Sequence, residues 1–415
     1  MKQLKPHSRG PSGTVAIQVS GRFGIRHECL LNSIGSTQTD APTYLERARI
    51  MSKRLAVLIA AAILPALTFA VPSQARAQYP NKLIDPGGVS AAGSVAPTAA
   101  TRAVSHGSAS IGKIVFRRWL NDAHTRGEIF TIKADGSGLF QVTHTPRGAS
   151  TEPDPSPDGR WIDYMVIRHG DLDTGRLFKI RPDGSDRTSL SKNCTGVCVG
   201  DGFPDWSHNG LIAFQRILSA NPAKPVGFSA IFVMTQDGTG VRHVTLRSEN
   251  PASGNNRFFD AAPGWSPSGR QLAFERGRNS DGLHAIFTVR PDGGGLRRIT
   301  PWRLDASQPQ YSPNGRWIAF RSCEGCDTSG NIWLAHPDGS GLHALTHTPP
   351  GTGKWGSCAF SPNGQWVVAA EGPVVGGVLQ NADVFIIPAS GGAPINVTND
   401  PAFWDSAPDW GLGRA

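Results

Sequence analysis

The sequence predicts an all-β protein, a six-bladed β-propeller of four-stranded blades over residues 111–411. Three observations support this prediction. One motif recurs six times, two kinds of tight turn recur inside it, and the two ends of the repeat array complement each other. The intervals between successive copies are 48, 54, 55, 46 and 52 residues. Repeats of this length are typical of propellers and solenoids.

The first turn of the motif is an Asp-Gly tip between two strands. Glycine supplies the positive φ that such a tight turn requires. The strand after the tip ends in Thr, as in Val142-Thr143 and Leu345-Thr346. Each copy therefore predicts one β-hairpin. The tips are Asp135-Gly136, Asp183-Gly184, Asp237-Gly238, Asp292-Gly293, Asp338-Gly339 and, in degenerate form, Ser390-Gly391.

The second turn reads Ser-Pro-Asx-Gly and precedes an apolar strand. At residues 312–315, Pro presets φ for the second turn position and Gly provides a positive φ. The apolar run 317–320 follows directly. Related turns lie at residues 156–159, 207–210, 266–269 and 361–364. The two turns together give four short strands per repeat, called A to D from the central channel outward, and this is one propeller blade.

The ends of the array predict how the ring closes. The array begins with a B-like strand at residues 113–118 and finishes with an A-like strand at residues 407–410. The last strand of the chain therefore completes the first blade. Such an overlap leaves no unpaired strand edge between the first and last blades.

The repeat resembles a known family. Residues 265–274 (WSPSGRQLAF) and 286–293 (IFTVRPDG) are similar to the WD-like repeat of TolB-type propellers. The resemblance extends over all six blades. It implies the propeller fold but no single function, because such propellers serve many roles. TolB also carries an N-terminal domain, for which the 33 residues at 78–110 are too short.

The N-terminal region predicts export. A positive start at Met51, the apolar stretch 55–71 and the small residues around Ala77 predict a signal peptide over residues 51–77. We interpret residues 1–50 as a misassigned upstream extension; the alternative is a cytoplasmic extension on an uncleaved anchor. Residues 78–110 are rich in Ala, Gly, Ser and Pro, which predicts a disordered linker. We expect a periplasmic or secreted protein without a stable membrane span.

The charge distribution argues against nucleic-acid binding. The net charge is +9, but residues 1–77 contain ten Lys/Arg and three Asp/Glu. The remainder has 31 basic and 29 acidic residues. A region so close to neutrality lacks the basic surface of a nucleic-acid binder.

Five cysteines follow the predicted signal peptide. Export to an oxidising compartment favours disulfides. The close pairs Cys194/Cys198 and Cys323/Cys326 are candidates for loop-stapling disulfides, and Cys358 could compete for a partner in the second pair. A redox motif or a zinc site is disfavoured, because neither the βαβ context nor four neighbouring ligands are present.

The predicted site lies on the loop face, which carries the B–C and D–A connections; the turn face carries the two tight turns. Variable loops on a rigid scaffold are common binding sites. Acidic and aromatic side chains precede strand A in several blades, and they could hold a cationic peptide, a sugar or Ca²⁺. The alternative is that the carboxylates cap backbone N–H groups while the rings pack. The candidates are Asp201, Asp260, Asp305, Asp405, Trp302, Trp355 and Trp404.

Two functional hypotheses remain. The first is a monomeric, non-catalytic module that binds a protein, a peptide or a carbohydrate in the cell envelope. The second is a carbohydrate-active or other hydrolase or lyase with its site at the channel mouth. The sequence contains no nucleophile elbow outside the repeated turn, no His-Glu-x-x-His and no P-loop. We therefore assign no catalytic residue, metal or cofactor and favour the binding module.

Overall fold

The computed structural model describes residues 112–168, 171–219, 228–245, 258–322 and 330–411. The predicted extension (1–50), signal peptide (51–77) and linker (78–110) lie outside these ranges. The described residues form six antiparallel sheets of four strands, the sixth with one additional short strand. This is the predicted six-bladed propeller.

The strands follow the A-to-D order within each of the first three blades. Blade 1 contains β25 (Trp404–Gly411), β1 (Lys113–Trp119), β2 (Gly127–Ile132) and β3 (Phe140–Gln141). Blade 2 contains β4 (Ala149–Pro155), β5 (Ile162–Arg168), β6 (Asp171–Ile180) and β7 (Thr188–Ser189). Blade 3 contains β8 (Cys198–Trp206), β9 (Leu211–Leu218), β10 (Phe228–Thr235) and β11 (Arg242–His243).

The other three blades repeat this order. Blade 4 contains β12 (Phe258–Trp265), β13 (Leu272–Arg278), β14 (His284–Val289) and β15 (Arg297–Arg298), and a 3-10 helix follows at Trp302–Leu304. Blade 5 contains β16 (Ala306–Tyr311), β17 (Ile318–Ser322), β18 (Asn331–Ala335) and β19 (His343–Ala344). Blade 6 contains β20 (Gly353–Phe360), β21 (Trp366–Val375), β23 (Asp383–Pro388) and β24 (Ile395–Asn396), with β22 (Val378–Leu379) paired to β21.

The ring closes as the sequence predicts. Strand β25, at the end of the chain, pairs antiparallel with β1, and Trp410 lies opposite Ile114. The first blade therefore combines three strands from the start of the propeller with one from its end. Because β25 takes the inner position, the blade has its full set of four strands.

The hydrophobic core lies between neighbouring blades. Phe360 of blade 6 packs in one buried cluster with Ala319 of blade 5, and Trp265 of blade 4 packs with Ala213 of blade 3. The inner-strand aromatics that recur beside the turn serine are thus packing residues. Each blade buries one face against the preceding blade, so the ring stabilises the individual sheets.

Candidate functional site

The central channel is narrow because every A strand bends into it. Five of the six A strands contain a bulge with a non-glycine residue at positive φ, between 45° and 53°, and a proline follows each. The channel between them has a volume of about 60 Å³. Since one water needs about 10–15 Å³ of such a cavity, this space holds a few waters. The bulge residues are Glu152, Phe203, Ala262, Gln308 and Ala407.

Three of the predicted site aspartates form buried ion pairs inside their own blades. The Asp260 carboxylate accepts two hydrogen bonds from Arg276, from Nε at 2.6 Å and from a terminal nitrogen at 2.9 Å. The Arg276 guanidinium also lies over the Phe274 ring, 5.4 Å from its centroid. The same bidentate geometry joins Asp201 to Arg216 and Asp405 to Arg118.

These pairs show where the structure places Asp201, Asp260 and Asp405 of the predicted site. The three side chains are buried, face arginines of the adjacent B strand, and share no mouth surface. They are neither an acidic binding ring nor caps of loop N–H groups. The sequence did contain a pattern that indicates these pairs. Each aspartate stands five residues before an inner-strand Trp, and strand B of the same blade carries an Arg. Burial raises the pKa of Asp260 and Asp405, although the arginines oppose this effect.

The fourth aspartate, Asp305, lies between blades 4 and 5. Its Oδ1 accepts a hydrogen bond from the His284 backbone N at 2.8 Å and lies 2.6 Å from His284 Nδ1. The other ring nitrogen of His284 is 3.6 Å from Glu275 Oε1. Burial lowers the pKa of His284, but the two carboxylates outweigh this, so the pKa lies above its usual value. Both ring nitrogens are thus directed at carboxylates, which braces the two blades.

The predicted aromatic residues mainly pack over the blades. Trp302 stacks on Phe258 with 6.2 Å between ring centroids, and Arg278 lies 4.2 Å above the indole. Trp355 is buried and donates its indole N–H to the Thr348 hydroxyl. Trp404 packs partly buried against the edge of a histidine ring. The packing alternative therefore describes these rings better than an exposed aromatic patch.

Sequence reasoning missed two arginines at the loop-face mouth. Arg117 donates to the hydroxyls of Ser406 and Thr151, each at 2.6 Å. Arg321 takes the same strand-B position in blade 5 and donates through Nε to Ser307 at 2.6 Å. Both follow a buried Phe of strand B, and the alternation of a strand turns them to the opposite face of the blade from that Phe. That alternation was a usable signal.

Sequence reasoning also missed four aspartates in or beside the channel, of which Asp154, Asp163 and Asp205 are buried and Asp409 is half-buried. Asp154 and Asp205 each accept a hydrogen bond at 2.6 Å from a backbone N–H of the following blade. Asp163 is fully buried, and neither carboxylate oxygen has a hydrogen-bond partner among the described residues. Within that part of the chain, no arginine or lysine forms a salt bridge with Asp154, Asp163, Asp205 or Asp409.

The pKa values of these four aspartates lie above the ordinary value. Burial is the main cause, and their mutual repulsion adds to it. The pKa of Asp205 rises to about 7 and that of Asp409 to about 6. Three of the four occupy equivalent positions at the end of strand A in blades 1, 2 and 3. The group therefore retains protons to a higher pH than exposed aspartates do.

The cysteines give one disulfide in the described residues. Cys194 and Cys198 are joined, with Cα atoms 5.0 Å apart. Their sulfurs and Asp201 are close enough for a metal site, but the sulfurs bond each other and Asp201 binds Arg216, so no ligand is free. Cys323 and Cys326 lie outside the described residues. Cys358 is a buried free thiol that lines the channel, and burial raises its pKa to about 12.

Comparisons with known proteins agree on the architecture. No protein-family model matches the chain. An uncharacterized protein of Agrobacterium fabrum is 33% identical over 153 residues, or 36% of this chain and 47% of that protein. A protein TolB homolog of Chlorobium luteolum is 31% identical over 151 residues, or 36% of this chain and 29% of that protein. The crystal structure of TolB from Acinetobacter baumannii matches with a TM-score of 0.52 at 18% identity, over 72% of this chain and 66% of that one.

The chain folds as a TolB-type propeller. The matches span less than half the length of the two curated relatives. At 18% identity the structural match shows the fold alone. In the part of the chain that the structure describes, no helix is both long and apolar enough to span a membrane.

The loop face of this TolB-type propeller carries exposed apolar side chains. Strand β21 extends past the sheet and turns at Gly376-Gly377 into β22, so that Val375 and Val378 flank the turn. Their exposed fractions are 64% and 62%. Val197, in the disulfide loop that enters blade 3, is 58% exposed. Exposed apolar groups on variable loops are typical of surfaces that bind other proteins.

Proposed function

We propose that this protein is an exported, non-catalytic TolB-like propeller that binds a protein or peptide of the cell envelope through its loop face. The observation that carries the proposal is the projecting β21–β22 hairpin, with Val375 and Val378 exposed at its tip. Export rests on the predicted signal peptide at residues 51–77. The names of the TolB relatives support an envelope role.

The geometry of the channel supports surface binding over a deep pocket. A cavity of about 60 Å³ is much smaller than the pockets of roughly 300–1,000 Å³ that hold small-molecule ligands. At the mouth, Arg117 and Arg321 are tied to hydroxyls of strand A. The His284 ring is held between two carboxylates. These contacts hold the polar side chains of the mouth in fixed positions within the propeller.

The test is capture from envelope extract by the full chain. The double variant Val375→Asp/Val378→Asp should reduce retention of the partner about tenfold, because it places charge in the apolar contact. A control is Leu296→Asp, which alters a 47% exposed apolar residue near the turn face and should retain capture.

Two results would contradict the proposal. Equal loss in the control and in the loop-face variant would show that the loop face is not the binding surface. Turnover of a glycan panel without any captured protein would replace the binding module with the enzyme hypothesis.

A further inference from the structure

The six C–D tips do not all pack alike. In five blades the tip glycine approaches a backbone carbonyl of the preceding blade so closely that an added Cβ would lie 2.6–3.0 Å from the oxygen. Only a glycine fits such an approach. The five glycine–carbonyl pairs are Gly136 with Val397, Gly184 with Val142, Gly238 with Leu190, Gly293 with Val244, and Gly339 with Ile299.

We call the contact between a tip and the preceding blade a seam, and a seam with the glycine–carbonyl contact is closed. Side chains reinforce some of the closed seams. Arg242 of blade 3 donates to the Pro291 carbonyl in the tip of blade 4 at 2.7 Å. Arg297 of blade 4 donates to the Asp338 carbonyl in the tip of blade 5, also at 2.7 Å. All five closed seams thus place a glycine against a strand, and two of them add a tip carbonyl that accepts from the first residue of strand D.

The seam between blades 5 and 6 is open. A Cβ added to Gly391 would meet no atom within 4 Å, although its φ of 88° matches the other tip glycines. The expected contact, the carbonyl of Leu345, is not made. Among the described blades this is the one tip glycine of the motif without its inter-blade contact.

Two substitutions explain why this tip is displaced. In the other five blades the residue at the Pro388 position donates its N–H across the turn, as His336 does to the Ser340 carbonyl at 2.8 Å. Proline has no N–H, so this bond is lost. In blade 5 the tip aspartate is Asp338, and its carboxylate accepts a hydrogen bond from the Ser340 N–H. The corresponding residue in blade 6 is Ser390. The Ala389 N–H instead donates to Gln365 of its own blade at 2.8 Å.

The open seam leaves a groove of about 800 Å³. One wall is strand D of blade 5 and the segment after it, including His343 and His347. The other wall is the displaced tip, and Trp317 and Trp355 also line the groove. No Asp, Glu, Lys or Arg lines it. His343 replaces Arg242 and Arg297 at the start of strand D and lies at the edge of the Trp317 ring.

We propose that this groove binds a glycine-containing β-turn of a partner polypeptide, which takes the place of the missing tip. The groove continues an inter-blade interface that a polypeptide turn fills in five other places. Its uncharged walls fit a turn that offers carbonyl acceptors and a small residue. The proposal adds a second interaction surface, along strand D of blade 5 from the tip of blade 6 to Trp355, and is independent of the proposed binding at the β21–β22 hairpin.

The probe is a cyclised peptide that copies residues 290–297, the tip of blade 4. Titrated into the full chain, it should shift the indole resonances of Trp317 and Trp355. The control peptide carries Val at the position of Gly293 and should bind at least about fivefold more weakly, because a side chain there meets the carbonyl. Absence of peptide binding, or equal binding of both peptides, overturns the proposal.

A second variant closes the groove in the protein itself. Pro388→Arg/Ser390→Asp restores the tip N–H and the tip carboxylate, and it should abolish peptide binding while the melting temperature is retained or raised. Undiminished binding to this variant would overturn the proposal. The loop-face variant Val375→Asp/Val378→Asp should bind the peptide normally, so failure of this proposal and failure of the proposed function are distinguishable. Binding of a neutral glycan in place of the peptide would also overturn it.

Discussion

The two ends of strand A bury aspartates in different ways. Toward the loop face, Asp201, Asp260 and Asp405 each face an arginine in bidentate geometry. Toward the turn face, the channel aspartates lie near one another, and no cation bonds to them in the described residues. Burial of a charge is unfavourable unless it is paired. The first group meets that requirement with a counter-ion, and the second group meets it by retaining protons.

The two groups of aspartates therefore have different roles: one forms structural ion pairs, and the other titrates. Amino-acid composition alone cannot distinguish these roles. An arginine partner fixes the carboxylate in its charged state, so the pair is a structural bond between strands A and B. A group of neighbouring carboxylates has no such fixed state, because the charge of each depends on the others. The loop-face pairs should therefore respond to mutation, and the channel group should respond to pH.

The largest effect is expected from breaking a loop-face pair. Asp260→Ala leaves the Arg276 guanidinium buried without its counter-ion, and this should lower the free energy of unfolding by about 3–5 kcal/mol. Urea unfolding at neutral pH measures the change. Replacement of both partners, Asp260→Leu with Arg276→Met, should recover much of the loss. A loss below about 1 kcal/mol for the single variant would show that the pair is not structural.

The next effect is the pH dependence of stability. The channel carboxyls bind protons more tightly in the folded chain, since the pKa of Asp205 rises to about 7 and that of Asp409 to about 6. Their contribution is fully present below about pH 4 and is lost as the pH rises to about 7. The free energy of unfolding should fall by an amount on the order of 3 kcal/mol between pH 5 and pH 8.

A variant identifies the source of this slope. Asp205→Asn/Asp409→Asn retains the hydrogen-bond acceptors and removes two of the four titrating carboxyls, so the slope should become clearly smaller. Asp154, Asp163 and His284 also have raised pKa values and would leave a residual slope of the same sign. An unchanged slope in the variant would show that Asp205 and Asp409 do not contribute to it.

A smaller effect is expected at Asp163, whose carboxylate has no hydrogen-bond partner in the described residues. Asp163→Asn should stabilise the protein by about 1–2 kcal/mol at pH 8, because it removes an unpaired buried charge. At pH 5 the two proteins should unfold at nearly the same temperature. Thermal unfolding at the two pH values measures the difference, and destabilisation at pH 8 would show that the charge has a partner.

The smallest effect is expected at an exposed pair. Arg278 and Asp281 form a salt bridge on the surface of blade 4, where solvent screens them. Asp281→Asn should change the free energy of unfolding by less than about 0.5 kcal/mol. A change as large as that of Asp260→Ala would mean that burial does not explain the difference between the two kinds of pair.

The fold was predictable because it depends on local patterns. The Asp-Gly and Ser-Pro-Asx-Gly turns specify hairpins, and the matching ends of the array specify closure in six blades. The candidate site was less predictable. Asp260 and Asp305 look alike in the sequence, yet one is buried against Arg276 and the other is held by His284. Their partners come from other strands, and the direction of each side chain depends on a bulge in strand A.

The sequence by itself determined the number of blades, the order of their strands and the way in which the ring closes. Each of these follows from turn chemistry and from a period that a single chain displays. Only the tertiary structure decided which aspartates are neutralised and which share protons, and that the tip at Gly391 leaves a seam open. These features arise where residues from different blades meet, and their distances are set by packing around the ring.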